Sequence, residues 1–125
     1  MPEQPEDSYL LDLIEAAQDA RRAVCGRSVE EWHADDLARW AVIAWLMVIG
    51  EAANRLARLH LRYDAVPWRQ IVAFRNFVVH QYFEIEWHVV REITVHRLPE
   101  LIENTIRILC AEYPDLVAGS GGPRA

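Results

Sequence analysis

The stretch RNFVVHQYF, residues 75–83, places an arginine, an asparagine, a histidine and a tyrosine within eight positions of a largely apolar region: Arg75, Asn76, His80 and Tyr82. A histidine whose pKa lies near neutral is suited to move protons as a general acid or base. An arginine beside it can stabilise the negative charge on a phosphoryl group during its transfer. Together these side chains could cleave RNA without a metal ion, because the ribose 2′-hydroxyl supplies an internal nucleophile.

The helical spacing of these residues limits how they can meet. Asn76 and His80 are four apart and share a helix face, so the Asn76 amide could hydrogen-bond one imidazole nitrogen and fix its tautomer. Arg75 and His80 are five apart, about 140° around the helix axis, and do not converge on one straight helix. Either the helix ends near His80 or a second copy of the chain contributes to the same site. His80 could also be a hydrogen-bonded structural residue, and that alternative stays open here.

Composition limits the classes of protein to which the chain can belong. Its 125 residues fit one domain, and the net charge of −6 argues against a protein that coats DNA or RNA. All thirteen basic residues are arginines, each able to bind a phosphate or carboxylate in a bidentate manner. The longest apolar stretch, residues 41–50, is too short to cross a bilayer, and the N-terminal residues do not resemble a secretory signal. We therefore expect a cytoplasmic protein that does not enter a membrane.

The cysteines and histidines lack the spacing of metal ligands. Cys25 and Cys110 have no second cysteine or histidine at a suitable distance along the chain, and we expect both to be small buried residues. His80, His88 and His96 are eight apart, so each is turned about 80° around a helix from the one before. We predict no metal site and no cofactor.

The periodicity of apolar residues predicts helices throughout residues 8–113 and no strands. We expect the following helices: residues 8–24, a short helix after a Ser28 capping box, residues 35–62, residues 67–80, residues 85–97 and a last helix opened by Pro99. Short connections favour antiparallel neighbours, so the expected fold is an all-α antiparallel bundle of four to five principal helices. We assign residues 1–117 to this domain and residues 118–125 to a disordered tail.

The long helix over residues 35–62 carries a predicted core stripe and several charged residues. The stripe comprises Leu37, Ala41, Ala44, Val48, Ala52, Leu56 and Leu59. Glu51 can pair with Arg55 at i+4 and support the site, or it can be an ordinary exposed glutamate. Arg55, Arg58 and Arg62 could form a local strip that guides RNA, or a solvated face.

The motif places His80 five residues after Arg75, and Tyr82 two residues after His80. This spacing resembles the Rx4HxY signature of HepT-like toxins, which are helical ribonucleases of the HEPN superfamily. Two flanking segments are also similar to that family: VIGEAANRL at residues 48–56 and VPWRQIVAFRNFVVHQYFEIEW at residues 66–87. The similarity extends from the first helix to LPELIENTI near the C-terminus. The motif together with both flanking segments, all in the same register, is far more specific than the motif alone.

The resemblance implies a HEPN-like helical bundle that forms a homodimer, with the paired motifs lining a cleft between subunits. It implies a type VII toxin–antitoxin system in which this chain is a metal-independent endoribonuclease. Arg75 and His80 would be the catalytic residues. Asn76 would orient His80, and Glu51 would support the site. Tyr82 would contact the RNA, and an MntA-like nucleotidyltransferase antitoxin would adenylylate it and so block the site.

A second hypothesis, from a different class, is a non-catalytic helical module that docks a partner nucleotidyltransferase. In that case the motif would serve only as a nucleotide or phosphate docking surface. The acidic net charge slightly favours this hypothesis, whereas the intact motif favours catalysis. A third hypothesis is a purely structural bundle, which predicts that Arg75, His80 and Tyr82 tolerate alanine.

Overall fold

The computed structural model describes residues 4–119, and that part of the chain is helical without strands. The all-α prediction is confirmed. In chain order the helices are α1 (Glu6–Val24), α2 (Val29–Ala34), α3 (Asp36–Arg55), α4 (Ala57–His60), α5 (Trp68–Gln81), α6 (Trp87–Glu92), α7 (Leu98–Glu112) and α8 (Pro114–Gly119). No helix in the described range is long and apolar enough to cross a bilayer. Of the expected tail, residues 118 and 119 belong to α8 and the rest lies outside the described residues.

α1 runs antiparallel to α3 and α7, as contacts at the two ends of the bundle demonstrate. At one end, Glu6 at the start of α1 and the last residue of α7 both bind Arg58, which lies just beyond α3. At the other end, Arg21 near the end of α1 binds backbone carbonyls that directly precede α7. α3 packs against both α1 and α5 and so forms the centre of the bundle.

The predicted stripe is confirmed at its C-terminal end, where Ala52, Leu56 and Leu59 are buried, and is wrong at its N-terminal end. Leu37, Ala44 and Val48 are exposed, Leu37 to 82% and Val48 to 43%. The buried residues of α3 are Val42, Ile43, Leu46, Ile49, Gly50, Ala52 and Ala53. Both faces of this stretch are apolar, so periodicity alone does not select one. The face with the larger branched side chains is buried because its burial removes more apolar surface from water.

The helix predicted over residues 35–62 is broken at Leu56. The backbone of Leu56 leaves helical geometry, with φ −100° and ψ 31°, and its N–H donates to the carbonyl of Ala53. Nε2 of His60 donates to the same carbonyl at 2.8 Å, and the imidazole stacks on Trp68 with 4.8 Å between ring centroids. His60 therefore stabilises the corner at which the chain turns towards α5.

Pro99 lies in the first turn of α7, as predicted, but no break separates α7 from the preceding helix. Pro99 has no N–H to donate to the turn before it. Arg21 supplies a donor instead, because its Nη1 donates to the carbonyls of Thr94 and Val95 at 3.0 and 2.9 Å. The backbone widens into the π-helical turn Ile93–Arg97, which joins α6 and α7 into one continuous segment.

A network of charged and phenolic groups closes the other end of the bundle. Nη2 of Arg58 binds Glu6 at 2.6 Å and Glu112 at 2.7 Å. Tyr113 donates to Glu6 at 2.6 Å, and the hydroxyl of Tyr63 donates to the other carboxylate at 2.5 Å. The hydrogen bond from Arg58 holds the pKa of Glu6 below its ordinary value, and burial together with Glu6 raises the pKa of Tyr113 to about 12. This network therefore stabilises the fold above the pH at which the carboxylates protonate.

Both cysteines are exposed thiols, which corrects the expectation that they are buried. Cys25 caps the C-terminus of α1, and Gly26 follows with φ +87°. This left-handed turn, which glycine adopts without strain, leads the chain away from α1 and leaves the Cys25 side chain outside the core. Cys110 lies on the outer side of α7, next to the buried Leu109.

We predict that Arg21→Ala destabilises the fold by about 1.5–3 kcal/mol, the usual range for a hydrogen bond to a charged group. The reason is that two carbonyls before Pro99 lose their donor. Urea denaturation followed by circular dichroism measures the change. Arg22→Ala removes only an exposed ion pair and is the matched control, with an expected loss of about 0.5 kcal/mol. An Arg21→Ala protein as stable as its control contradicts this account.

Candidate functional site

Residues 75–83 occupy the second half of α5 and the turn that follows it. α5 begins after Pro67, and its entry is fixed by Trp68, which is 4% exposed and whose Nε1 donates to the carbonyl of Tyr63 at 2.9 Å. Val78, 3% exposed, anchors the second half of the helix in the core. Because α5 is held at both points, the polar side chains between and beyond them have a defined position.

Gly50 lets α5 approach α3 closely at the level of Arg75. A Cβ atom added to Gly50 would lie 2.8 Å from Cγ of Arg75, closer still to its Cβ, and 3.4 Å from the carbonyl oxygen of Ile71. A side chain at this position would push α5 away or displace Arg75, since packed interiors do not absorb such overlap freely. The missing side chain is what lets the stem of Arg75 lie directly on α3.

Glu51, the residue after Gly50, orients the Arg75 guanidinium. One Glu51 carboxylate oxygen lies 3.1 Å from Nη2 of Arg75, and the other accepts a hydrogen bond from Nε of Arg55 at 3.1 Å. Nη1 of Arg75 donates to the side-chain oxygen of Asn76 at 2.9 Å. The Arg75 side chain is 34% exposed, so its remaining N–H groups are available to an anion.

His80 is exposed on the last turn of α5 and makes no hydrogen bond within residues 4–119. The expected hydrogen bond between Asn76 and His80 is absent; instead, the Asn76 side-chain oxygen accepts a hydrogen bond from the Arg75 guanidinium. α5 continues through His80 to Gln81, so Arg75 and His80 lie on one helix and diverge by about 140°. The His80 imidazole is therefore accessible to solvent. It does not fit the alternative in which His80 is a hydrogen-bonded structural residue.

Tyr82 and Phe83 form an exposed aromatic pair directly after α5. They lie in the 3₁₀ turn Tyr82–Glu84, with ring centroids 4.2 Å apart and 35° between the ring planes. Tyr82 is 46% exposed and Phe83 is 87% exposed. Sequence analysis selected Tyr82 and missed Phe83. The sequence did contain an indication that Phe83 is exposed: it directly follows the motif and has several polar neighbours in the chain.

The arginines at the end of α3 and beyond do not form a free cationic strip. Arg58 and Arg62 both pair with Glu112, at 2.7 and 3.2 Å. Arg55 pairs with Glu51 at 3.1 Å. An RNA phosphate would have to displace these carboxylates, so the structure favours an ion-paired solvated face over an RNA-guiding strip.

Potential metal ligands are dispersed over the described part of the chain. Residues 4–119 contain no group of three or more His, Cys, Asp or Glu side chains arranged to hold a metal ion. His96 lies 3.5 Å from the Glu92 carboxylate on its own helical segment and is remote in sequence from His80. The polar groups of the site are therefore those of α3 and α5.

The family model described as "Ribonuclease HepT-like" matches residues 13–108, a range that includes every site residue from Glu51 to Tyr82. The chain belongs to the HepT-like ribonuclease family. The resemblance found in the sequence is thereby confirmed.

Other proteins match this one over most of their length. A protein of Thermococcus cleftensis named "Probable ribonuclease HepT" is 31% identical over 100 residues, which cover 74% of this chain and 86% of that protein. Proteins named "Putative RNase" from Methanocaldococcus jannaschii and Caldanaerobacter subterraneus are each 28% identical, over 110 and 105 residues. These matches cover 87% and 83% of this chain, and 91% and 94% of the two relatives. No solved structure matches significantly.

We predict that Gly50→Ala destabilises this HepT-like protein, although alanine forms helices better than glycine. Overpacking typically costs about 1–3 kcal/mol, whereas the gain in helix propensity is about 1 kcal/mol. Urea denaturation measures the net change. Ala73→Gly, at an exposed position within α5, measures the propensity contribution alone. A Gly50→Ala protein more stable than wild type would mean that Arg75 does not pack tightly on α3.

Proposed function

We propose that this HepT-like protein is a metal-independent endoribonuclease and the toxin of a type VII toxin–antitoxin system. The observation that carries the proposal is the geometry of α5. The His80 imidazole is exposed on this helix, five residues after Arg75. Glu51 and Asn76 orient the Arg75 guanidinium but leave some of its N–H donors available. The imidazole and the guanidinium are the groups that RNA cleavage through its own 2′-hydroxyl requires. Membership of the HepT-like ribonuclease family supports RNA as the substrate.

In the proposed reaction the ribose 2′-hydroxyl attacks the adjacent phosphate. The His80 imidazole accepts the 2′-hydroxyl proton as the bond from O2′ to phosphorus forms, and the 5′-oxygen takes a proton from water as its bond to phosphorus breaks. The products are a 2′,3′-cyclic phosphate and a 5′-hydroxyl. Arg75 binds the non-bridging oxygens, whose negative charge increases in the transition state. DNA lacks the 2′-hydroxyl and cannot react in this way.

Glu51 and Asn76 act in this proposal as positioning residues for Arg75. They fix the guanidinium in advance, so little side-chain freedom is lost when the phosphate binds. Glu51 shares its carboxylate between Arg75 and Arg55, and it therefore holds Arg75 without neutralising it fully. The role first considered for Asn76, orientation of His80, is replaced by orientation of Arg75.

A second copy of the chain completes the site in this proposal. The outer face of α3 exposes a row of apolar side chains, and such faces favour association. The row comprises Leu37, Trp40, Ala44 and Val48. It ends beside Glu51, so a partner on this face would lie next to Arg75. Because Arg75 and His80 diverge by about 140° on α5, a two-fold dimer could bring Arg75 of one copy to His80 of the other.

We further propose that an MntA-like nucleotidyltransferase is the antitoxin and adenylylates Tyr82. The Tyr82 ring is 46% exposed, and its hydroxyl makes no hydrogen bond within residues 4–119. Tyr82 lies two residues after His80, so an AMP group there would occupy the space in front of the imidazole and exclude RNA. The cytoplasm would supply both the RNA and the antitoxin.

The direct test is RNA cleavage in EDTA by purified protein whose intact mass excludes AMP. With a mixed RNA pool we expect fragments that end in 2′,3′-cyclic phosphate. His80→Ala should lower the rate by at least about 100-fold, the scale of general acid–base catalysis. His88→Ala removes another exposed histidine and is the matched control, with unchanged activity expected.

Cleavage that EDTA abolishes, or that His80→Ala leaves intact, contradicts the proposed mechanism. Addition of the antitoxin and ATP should stop cleavage by the wild type and leave cleavage by a Tyr82→Phe protein unchanged.

The alternative function, a non-catalytic module that docks a nucleotidyltransferase, is favoured by the net charge of −6 and by the ion-paired arginines. It predicts that the wild type cleaves nothing and that Arg75→Ala weakens binding of the nucleotidyltransferase.

A further inference from the structure

The aromatic pair of Tyr82 and Phe83 has no role in the chemistry assigned to Arg75 and His80. We propose that Phe83, with Tyr82 beside it, is a stacking platform for the nucleobase next to the scissile phosphate. The platform lies two and three residues after His80, within the reach of one nucleotide. This inference rests on the proposed ribonuclease function, since that function brings RNA to the site.

The exposure of Phe83 is the first observation that supports a ligand. Its side chain is 87% exposed, so it contributes almost nothing to the core. The Tyr82 ring lies beside it at 4.2 Å between centroids, which makes a wider aromatic surface than either ring alone. Exposed rings of this kind bind single-stranded nucleic acid by stacking, because every base has a π face.

The turn that carries Phe83 is anchored on both sides. Val78, before the turn, is 3% exposed, and Ile85, after it, packs against the core. Trp87 then lies edge-on to the buried Trp32, with 6.5 Å between ring centroids. The ring of Phe83 is therefore presented by a fixed segment, and a base that stacks on it orders little additional chain.

The polar surroundings of the pair favour a nucleobase over a protein partner. Gln81, Glu84 and Glu86 are exposed around it, and the two carboxylates have no ion-pair partner within the described residues. The centres of protein interfaces are depleted of charged residues, whereas stacking needs only an accessible ring. The carboxylates repel phosphate, so the RNA backbone would run on the side of Arg75 and only the base would reach Phe83.

The test uses the full-length protein and a fluorescein-labelled single-stranded RNA with 2′-O-methyl groups on every ribose, which cannot be cleaved. By fluorescence anisotropy we expect Phe83→Leu to weaken binding roughly 5- to 150-fold, the range for loss of one base–aromatic stack. Phe83→Trp should bind within about twofold of wild type. Stacking releases no counterions, so the effect of Phe83→Leu should not change with salt concentration. Leu61→Ala, which removes a side chain 94% exposed elsewhere, is the control and should leave affinity unchanged.

Sedimentation velocity of the same variants separates a nucleobase from a second copy of the chain. The platform is overturned if Phe83→Leu binds the RNA as tightly as wild type, or if it loses affinity only because the dimer dissociates. If Phe83→Leu weakens binding as expected but wild type leaves unmodified RNA intact, the ribonuclease proposal fails, and Phe83 stacks on a base of bound RNA that has no scissile phosphate beside it. If wild type cleaves RNA and Phe83→Leu binds normally, the platform fails and the ribonuclease proposal stands.

Discussion

The close approach of α5 to α3 at Gly50 is the constraint on which the site depends. There the stem of Arg75 lies on α3, and Glu51 meets its guanidinium at 3.1 Å. A larger distance between the helices would leave the cation free to turn into solvent. In the proposed mechanism, folding already fixes Arg75, so the side-chain entropy of this long residue would be lost before RNA binds; such a preorganised charge favours transition-state stabilisation.

The rest of the bundle holds α3 and α5 in that register. The stack of His60 on Trp68 fixes the corner between them. Beyond α5, Trp87 packs edge-on to Trp40 with 5.0 Å between ring centroids, and so returns the chain to the start of α3. Arg21 keeps the final helical segment continuous across its π-helical turn.

The helices were largely predictable because periodicity and capping are local properties of the chain. The motif spacing, also local, selected Arg75, His80 and Tyr82 for the proposed site. The buried face of α3 was not predictable, since residues 41–50 are apolar on both sides and only the neighbouring helices decide between them. No proline or glycine near Leu56 indicates the break in the sequence. The corner is instead stabilised by the contacts of His60 with the Ala53 carbonyl and with Trp68. The partner of Asn76 is its neighbour Arg75, which helical i,i+4 spacing does not reveal. Arg75, by contrast, was found from residue type alone, but Gly50 beneath it was not.

The central claim is that Arg75 of one copy and His80 of another share one active site. RNA cleavage by mixed dimers of Arg75→Ala and His80→Ala, purified with two different affinity tags, tests it most directly. In a mixed dimer with shared sites, one site retains both residues, so we predict about half of the wild-type activity from two inactive parents. If both residues act within one chain, each site lacks one of them. Mixed dimers that stay inactive would therefore contradict the claim.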